Sequence, residues 1–127
     1  MVSEAMEAAS RNESFQKRER LQKSKDFRMA YKKGTLSKKG ALVLYSIPNS
    51  LSYNRMGFSI SAKNIKKANR RNRIRRLLKE AYRLNKKYLK NGFDMVIVIK
   101  KDMGRPISYK VIEPIFLNLV KEAKVLA

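Results

Sequence analysis

The chain has 127 residues, with 31 Lys or Arg against 10 Asp or Glu, and its formal net charge is +21 at pH 7. It contains no Cys and no His, which excludes a disulfide framework, a thiolate zinc site and a cysteine or histidine nucleophile. Apolar residues make up 43% of the sequence, enough for one domain with one modest core. Uncompensated charge on this scale is tolerated where a polyanion neutralises it, and nucleic acid is the first candidate.

The first fourteen residues differ in character from the rest. They carry three acids against one base and show no apolar periodicity. We predict a mobile N-terminal extension over residues 1–14 and a single domain over residues 15–127. No apolar run approaches the roughly 20 residues of a membrane span, and no signal-peptide pattern is present, so we expect a cytoplasmic protein with no membrane partner.

A short amphipathic helix is predicted next. Ser24 is placed to cap its first turn, Asp26 lies in that turn, and Gly34 stops it. One face of this helix carries Phe27, Ala30 and Tyr31.

Two strand patterns follow, at residues 40–47 and 55–62. The first alternates Leu42 and Leu44 with the opposite face, and a turn around Pro48 ends it. In the second, one face carries Met56, Phe58 and Ile60, and the other carries Gly57, Ser59 and Ser61. The small residues leave room for a groove, and the short connection predicts an antiparallel pair.

A long basic helix is predicted from Ala68 to Lys90, with Asn64 or Asn69 as its cap and Asn91-Gly92 as its stop. Helical spacing places a set of apolar residues on one face: Ile74, Leu77, Leu78, Ala81, Leu84 and Tyr88. The opposite arc carries Arg75, Arg76, Lys79, Arg83, Lys86 and Lys87.

The remaining elements are a strand and a helix. Residues 93–100 are apolar on both alternating faces, which predicts a central strand reached by a crossover connection. The last helix begins either at Ser108, with Pro114 in its interior and a kink, or near Glu113, with Pro114 in the first turn. The whole reads as one α+β domain.

The chemistry of the chain points to binding. Between Lys63 and Lys90 there are thirteen Lys or Arg residues and one acid, Glu80. A merely solvated helix face would need more acids for i,i+4 pairs, so polyanion binding is favoured. Scattered carboxylates predict neither a metal site nor an acid/base pair. The aromatics Phe27, Tyr31 and Tyr45 either pack in the core, the commoner case, or stack on unpaired bases.

The run Arg71-Asn72-Arg73-Ile74-Arg75-Arg76, preceded by Gly57-Phe58-Ser59-Ile60-Ser61 and Lys63, resembles the signature of the bacterial ribonuclease P protein family. The resemblance extends from about Ser14 to Ala123. Three positions depart from the family pattern, namely Ala62, Lys66 and Lys79. Lys79 stands where arginine is common and lacks the planar fork that binds a phosphate through two hydrogen bonds.

The resemblance implies a protein that binds the catalytic ribonuclease P RNA, the pair removing the 5′ leader from precursor tRNA. It implies an endoribonuclease subunit whose RNA holds Mg²⁺ and performs hydrolysis, with no cofactor bound by the protein alone, no catalytic residue in this chain and no obligate protein partner. The fold implied is a single α+β domain of α-β-β-β-α-β-α order, with a four-stranded sheet and a left-handed βαβ crossover, like the second domain of ribosomal protein S5. The residue patterns by themselves predict three strands. The fourth strand is implied by the resemblance, and we predict it at residues 63–66.

The resemblance also assigns two sets of residues. Contacts to the RNA subunit are expected from Lys63, Arg71, Asn72, Arg73, Arg75, Arg76 and Lys79. Leader contacts are expected from Phe27, Tyr31 and Tyr45. The alternative is a ribosomal or other structural RNA-binding protein without a role in cleavage, and a membrane-active basic helix is a third, weaker class.

Overall fold

A computed structural model describes residues 15–104 and 106–127; the predicted extension at residues 1–14 lies outside them. Its strands are β1 (Thr35–Lys39), β2 (Leu42–Pro48), β3 (Arg55–Ser59) and β4 (Phe93–Ile99). Its helices are α1 (Ser24–Lys33), α2 (Ala68–Asn85) and α3 (Tyr109–Glu122), with 3-10 turns at Lys17–Glu19 and Lys86–Tyr88. The predicted α-β-β-β-α-β-α order is confirmed, whereas the handedness of the crossover through α2 stays a prediction.

The strands form one mixed sheet in the order β1-β2-β4-β3. The central position of β4, predicted from its two apolar faces, is confirmed: it pairs antiparallel with β2, through Tyr45 and Val96, and parallel with β3, through Gly57 and Val96. The predicted antiparallel pairing of β2 with β3 is wrong. The two strands do run in opposite directions, but β4 lies between them because it can bury side chains on both faces of the sheet.

The fourth strand is β1, and its predicted place at residues 63–66 is wrong. β1 joins β2 through a two-residue turn at Gly40-Ala41, where Gly40 has the positive φ of 60° that such turns favour. Most of β1 is exposed, so its sequence lacks the apolar alternation that marks a strand. Residues 61–65 form a turn instead, in which the N–H groups of Asn64 and Ile65 donate to the carbonyl of Ser61.

The helix caps differ from the predicted ones. Lys23 precedes the first helical residue, Ser24, and Lys67 precedes α2; neither makes a side-chain capping bond. Asn64 donates instead to the carbonyl of Ile99, at 2.9 Å, and so ties the turn before α2 to the end of β4. Local sequence suited both Ser24 and Asn64 to capping, but a contact distant in sequence takes the Asn64 side chain.

The basic helix is shorter than predicted, since α2 ends at Asn85 and a 3-10 turn continues to Tyr88. The tighter turn changes the angle between successive residues, and the ring of Tyr88 is 55% exposed rather than in the core. Tyr82 takes the buried place instead, 1% exposed. Helix α3 starts after Ser108, the first of the two predicted starts, with Pro114 inside it; the kink stays a prediction.

Two apolar clusters hold the layers together. The larger lies between the sheet and helices α2 and α3, and it includes Leu44, Met56, Ile97, Leu78 and Phe116. The smaller lies between the other face of the sheet and α1, and it includes Leu21, Ala30 and Val96, with Phe27, Tyr45, Ile47 and Val98 packed against it. In the described part of the chain, no helix has the length and apolar character to cross a membrane.

Candidate nucleic-acid interface

The exposed face of α2 and the turn before it include cations that pair with no acid of the described residues. Lys63, Asn72 and Arg76 are exposed, and neither Lys63 nor Arg76 makes a hydrogen bond or ion pair with any described residue. A long cationic side chain in this state can turn its donors to an incoming phosphate without first breaking an internal contact.

Two arginines of the motif are held in fixed orientations by backbone carbonyls. Arg71 Nη1 donates to the carbonyls of Ile65, at 2.8 Å, and Lys66, at 3.0 Å. Arg73 Nε donates to the carbonyl of Ile107 at 2.9 Å. A guanidinium carries five N–H donors, so each arginine keeps donors for a second partner while these bonds orient the group.

Arg75 and Lys79 extend this surface toward the N-terminal segment. Arg75 Nη1 donates to Asn72 Oδ1 at 3.2 Å, along the helix. Burial lowers the pKa of Lys79, and the neighbouring charges of Arg20 and Arg75 lower it further. Arg20 therefore belongs to the same basic surface, a residue the motif alone does not assign. We call this surface, formed by Lys63, Arg71–Arg73, Arg75, Arg76, Lys79 and Arg20, the basic face.

Three further cations of the long basic stretch are neutralised internally. Arg70 Nη2 lies 2.7 Å from Asp102 Oδ1, Arg83 Nη2 lies 2.5 Å from Glu80 Oε1, and Lys86 Nζ lies 2.8 Å from Glu19 Oε1. The interpretation that Glu80 alone could neutralise this stretch is therefore wrong, because the fold brings two distant acids to it. None of the seven residues expected to bind the RNA subunit takes part in these ion pairs.

The three predicted leader-binding aromatics are brought together on the opposite face of the sheet. The rings of Phe27 and Tyr31 have centroids 6.4 Å apart, and those of Tyr31 and Tyr45 are 5.1 Å apart with an interplanar angle of 81°. Tyr31 is 41% exposed, while Phe27 and Tyr45 are half-buried. We call this group the aromatic cleft. It combines a packed base with an exposed ring, so the predicted core packing holds in part and stacking on unpaired bases stays a prediction.

The glycine of β3 makes room for the aromatic cleft. A Cβ atom added to Gly57 would lie 2.5 Å from Phe27 Cζ, closer than any ordinary carbon contact. The ring of Phe27 therefore rests directly on the backbone of β3. The small face predicted for this strand is confirmed at Gly57, where Phe27 occupies the space, whereas Ser61 lies beyond the end of β3.

An arginine that sequence reasoning missed ties α1 to the sheet below this cleft. Arg55 Nε and Nη2 donate to the two carboxylate oxygens of Asp94 at 2.8 and 2.6 Å, and Arg55 Nη1 lies 3.6 Å from Asp26 Oδ2. Asp26 immediately precedes Phe27 in α1. The sequence shows these three residues singly, and no local pattern links positions 26, 55 and 94.

A buried carboxylate fixes the N-terminal segment against α2. Glu19 is 4% exposed and accepts hydrogen bonds from Tyr82 Oη at 2.5 Å and Lys86 Nζ at 2.8 Å. Burial, and then the bond to Glu19, raise the pKa of Tyr82 well above its ordinary value. In residues 15–104 and 106–127 the structure shows no group of three or more carboxylates that could hold a metal ion.

The comparisons with known proteins agree on one family. The family model described as Ribonuclease P matches residues 15–124. The ribonuclease P protein component of Alkaliphilus metalliredigens is 37% identical over 112 residues, which cover 88% of this chain and 99% of the relative. That of Clostridium botulinum strain Loch Maree is 41% identical over 108 residues, covering 84% and 96%.

Solved structures give the same result for the fold. The ribonuclease P protein of Thermotoga maritima superposes with a TM-score of 0.74 at 30% identity, covering 82% of this chain and 96% of that one. The Staphylococcus aureus ribonuclease P protein superposes with a TM-score of 0.74 at 27% identity, covering 86% and 98%.

Proposed function

The chain belongs to the ribonuclease P protein family, and from this premise we propose that it binds the ribonuclease P RNA through the basic face and the 5′ leader of precursor tRNA through the aromatic cleft. The observation that carries the proposal is the separation of the two surfaces. One is the basic face, whose cations make no ion pair with an acid of the described residues, and the other is an exposed ring above a packed aromatic base on the far side of the sheet.

The basic face suits a folded RNA because its cations differ in how they are held. Arg71 and Arg73 are oriented by backbone carbonyls, whereas the side chain of Arg76 has no internal partner in the described chain. Oriented guanidinium groups favour phosphates at defined positions, and unpaired cations add affinity by releasing counterions from the RNA.

The aromatic cleft suits a single strand. Tyr31 presents an exposed ring, and stacking of this kind accepts any base because every base has a π face. Exposed lysines of α1, namely Lys25, Lys32 and Lys33, add positive charge beside it. This arrangement favours leaders of varied sequence and distinguishes a precursor from a mature tRNA, which has no leader.

We assign the hydrolytic chemistry, and the Mg²⁺ it uses, to the RNA subunit. The support is the family resemblance together with the residues of this chain, which contain no His or Cys and only 10 acids. The role of the protein is then to hold substrate and catalytic RNA together, working in the cytoplasm as one subunit of a ribonucleoprotein.

The leader contact is tested by measuring affinity for precursor tRNAs of increasing leader length, with the protein assembled on a ribonuclease P RNA. Affinity should rise with leader length. Tyr31→Ala and Phe27→Ala should each reduce the affinity gained from the longest leader by about tenfold, since stacking contributes roughly 1–3 kcal/mol per base. Tyr88→Ala, which removes a tyrosine that is 55% exposed in the turn after α2, is the matched control. A leader dependence that survives both aromatic variants would count against the cleft.

The RNA contact is tested by titrating the RNA subunit at several salt concentrations. Arg76→Ala should weaken binding and reduce the slope of log affinity against log salt by about 0.7–0.9, because one phosphate contact is lost. Lys110→Ala removes one exposed charge from α3 at a residue that is not part of the basic face, and serves as the control. Equal effects of the two substitutions would contradict a specific role for the basic face.

A further inference from the structure

A second cationic site lies at the far end of α2 from the motif, in a cleft of about 510 Å³. Its walls come from the N-terminal segment, the loop before β3, and the end of α2 with the turn that follows. The lining includes Arg18, Glu19, Tyr53 and Lys86.

Arg18 is the residue that makes this cleft a candidate binding site. Its guanidinium carbon lies 4.5 Å from the centroid of the Tyr53 ring, so the ring attracts the cation and restricts its position. Arg18 is exposed and makes no hydrogen bond or ion pair with any residue of the described chain. A guanidinium held over a ring, with donors that make no hydrogen bond in the described chain, is suited to a phosphate.

The backbone that carries the Tyr53 ring is held by hydrogen bonds. The carbonyl of Tyr53 accepts a hydrogen bond from Asn49 Nδ2 at 3.2 Å. The next residue, Asn54, is buried and joins this loop to the start of β4: its Nδ2 donates to the carbonyl of Lys90 at 2.8 Å, and its Oδ1 accepts from the N–H of Phe93 at 2.8 Å. The Arg18 platform therefore exists before a ligand arrives, which lowers the entropy cost of binding.

The charge of the one acid that lines the cleft is compensated within the protein, so it does not repel an anion. Glu19 is 4% exposed and is matched by Lys86 Nζ at 2.8 Å and Tyr82 Oη at 2.5 Å. The surface seen from solvent is thus set by Arg18 and by Lys87, which is exposed. The one aliphatic residue lining the cleft, Leu89, is itself 5% exposed, so the cleft offers little aliphatic surface to a protein partner.

We infer that the Arg18–Tyr53 platform is a second phosphate-binding contact for RNA, separate from the basic face. This inference rests on the proposed function, since it gives the same RNA subunit another point of attachment. Thirteen residues separate Arg73 from Lys86 along α2 and the turn after it. At 1.5 Å per residue Arg73 lies about 20 Å from Lys86 in the cleft, more than the screening length of about 8 Å at physiological salt. The contributions of Arg73 and the platform to affinity should therefore add, whereas Arg20 of the basic face is two residues from Arg18 and should couple to it.

The test compares four variants of the full chain in binding the purified ribonuclease P RNA across a salt series. Arg18→Ala should weaken binding about tenfold and reduce the salt slope by about 0.7–0.9, as expected for the loss of one charge-assisted phosphate contact. Tyr53→Leu, which keeps the charge but removes the platform, should weaken binding and leave most of the slope. Arg76→Ala reports the basic face, and Lys110→Ala controls for the loss of one charge.

The comparison of Arg18→Ala with Arg76→Ala separates the platform from the basic face. If Arg76→Ala weakens binding and Arg18→Ala behaves as Lys110→Ala does, the platform is not an RNA contact, although the proposed function stands. If neither arginine variant differs from the control, the proposed function fails as well. Thermal melting followed by circular dichroism must give the same transition for Arg18→Ala and the parent, because Arg18 is exposed; an unfolded variant would contradict its assignment as a surface contact.

A second measurement uses the absence of cysteine from the sequence. Ser52→Cys, at the cleft, and Asn69→Cys, at the start of α2, each provide a single attachment point for an iron chelate that cleaves nearby RNA. The two should cut the RNA subunit at different positions, and Lys110→Cys should give only background. Cutting from Ser52→Cys at background level would overturn the inference.

Discussion

Arg55 binds Asp94 through two hydrogen bonds, from Nε at 2.8 Å and from Nη2 at 2.6 Å, across the parallel strands β3 and β4. The hydrogen bond to Asp94 raises the pKa of Arg55, so the guanidinium stays charged throughout the accessible pH range. Because Nη1 also lies 3.6 Å from Asp26 on α1, one side chain connects two strands and the helix that carries the aromatic cleft.

Arg55→Met should lower the free energy of unfolding by about 2 kcal/mol, because Asp94 is left buried with an uncompensated charge. The figure is below that of a fully buried pair since the Arg55 side chain is 24% exposed. Asp26→Ala should cost only about 0.5 kcal/mol, as partly exposed pairs do. Urea unfolding measures both, and Arg28→Met, an exposed arginine of α1, is the control. A neutral Arg55→Met would show that this connection is not needed for stability.

Gly57→Ala should disturb the aromatic cleft without touching its aromatic residues. The added methyl group would lie 2.5 Å from Phe27 Cζ, so the ring must move away from β3. We expect a loss of about 1–3 kcal/mol in unfolding free energy, typical of overpacking, and a weaker dependence of precursor affinity on leader length. Ser59→Ala, on the same strand, should change neither quantity. An unaltered leader dependence in Gly57→Ala would mean that the position of Phe27 does not matter for the leader.

Tyr82→Phe should lower stability at pH 7 by about 1–3 kcal/mol, since the buried Glu19 loses a donor. The pKa of Tyr82 is raised on folding, so the folded state holds its proton more tightly than the unfolded state does. The resulting stability is complete below the unfolded value near 10.0 and declines as pH rises above it.

Unfolding free energies measured from pH 7 to 11 test whether the stability contributed by Tyr82 declines as pH rises. The difference between the parent and Tyr82→Phe should shrink above pH 10 by up to about 1.4 kcal/mol per pH unit. Tyr88→Phe is the control, because that ring is 55% exposed and its hydroxyl makes no hydrogen bond in the described chain. A constant or growing difference above pH 10 would contradict the coupling between Tyr82 and Glu19.

Asp102→Ala should strengthen RNA binding. Asp102 lies 2.7 Å from Arg70 on α2, and that hydrogen bond lowers the pKa of Asp102, so the carboxylate stays charged at neutral pH and competes for the arginine. Removing it should raise affinity about two- to fivefold at low salt, with the gain falling at higher salt. Glu122→Ala makes the same charge change at an exposed site on α3 and should have a smaller effect. Equal gains would indicate a response to net charge alone.

Periodic segments were predictable because their signal is local. The apolar faces of α2 and β4, the stop at Gly34 and the place of the cations all follow from spacing along the chain. Helix α3 was predicted too, and the choice between its two starts needed the structure, since Pro114 is compatible with both.

The wrong predictions of strand pairing and charge neutralisation involve contacts distant in sequence. No local pattern says that β4 lies between β2 and β3, since the loop joining β2 to β3 is equally compatible with direct pairing. β1 is mostly exposed, so its sequence shows no alternation of apolar and polar residues that would predict a strand. Glu19 and Asp102 meet cations of α2 only in the folded chain, and Arg55 meets Asp94 only when β3 and β4 pair. For the site, sequence supplied the residue types, whereas the fold decided which of them have no internal partner.

The central place of β4 also has a consequence for synthesis. Phe93 follows Ser59 by 34 residues, so at translation rates of about 5–20 residues per second the ribosome makes β4 about 2–7 s after β3. During that interval the nascent chain has made β2, β3 and the polycationic α2, while the strand that joins the sheet is missing. Completion of tertiary structure must therefore wait for β4. Until then, the cations of α2 are near ribosomal RNA while the apolar core is still incomplete.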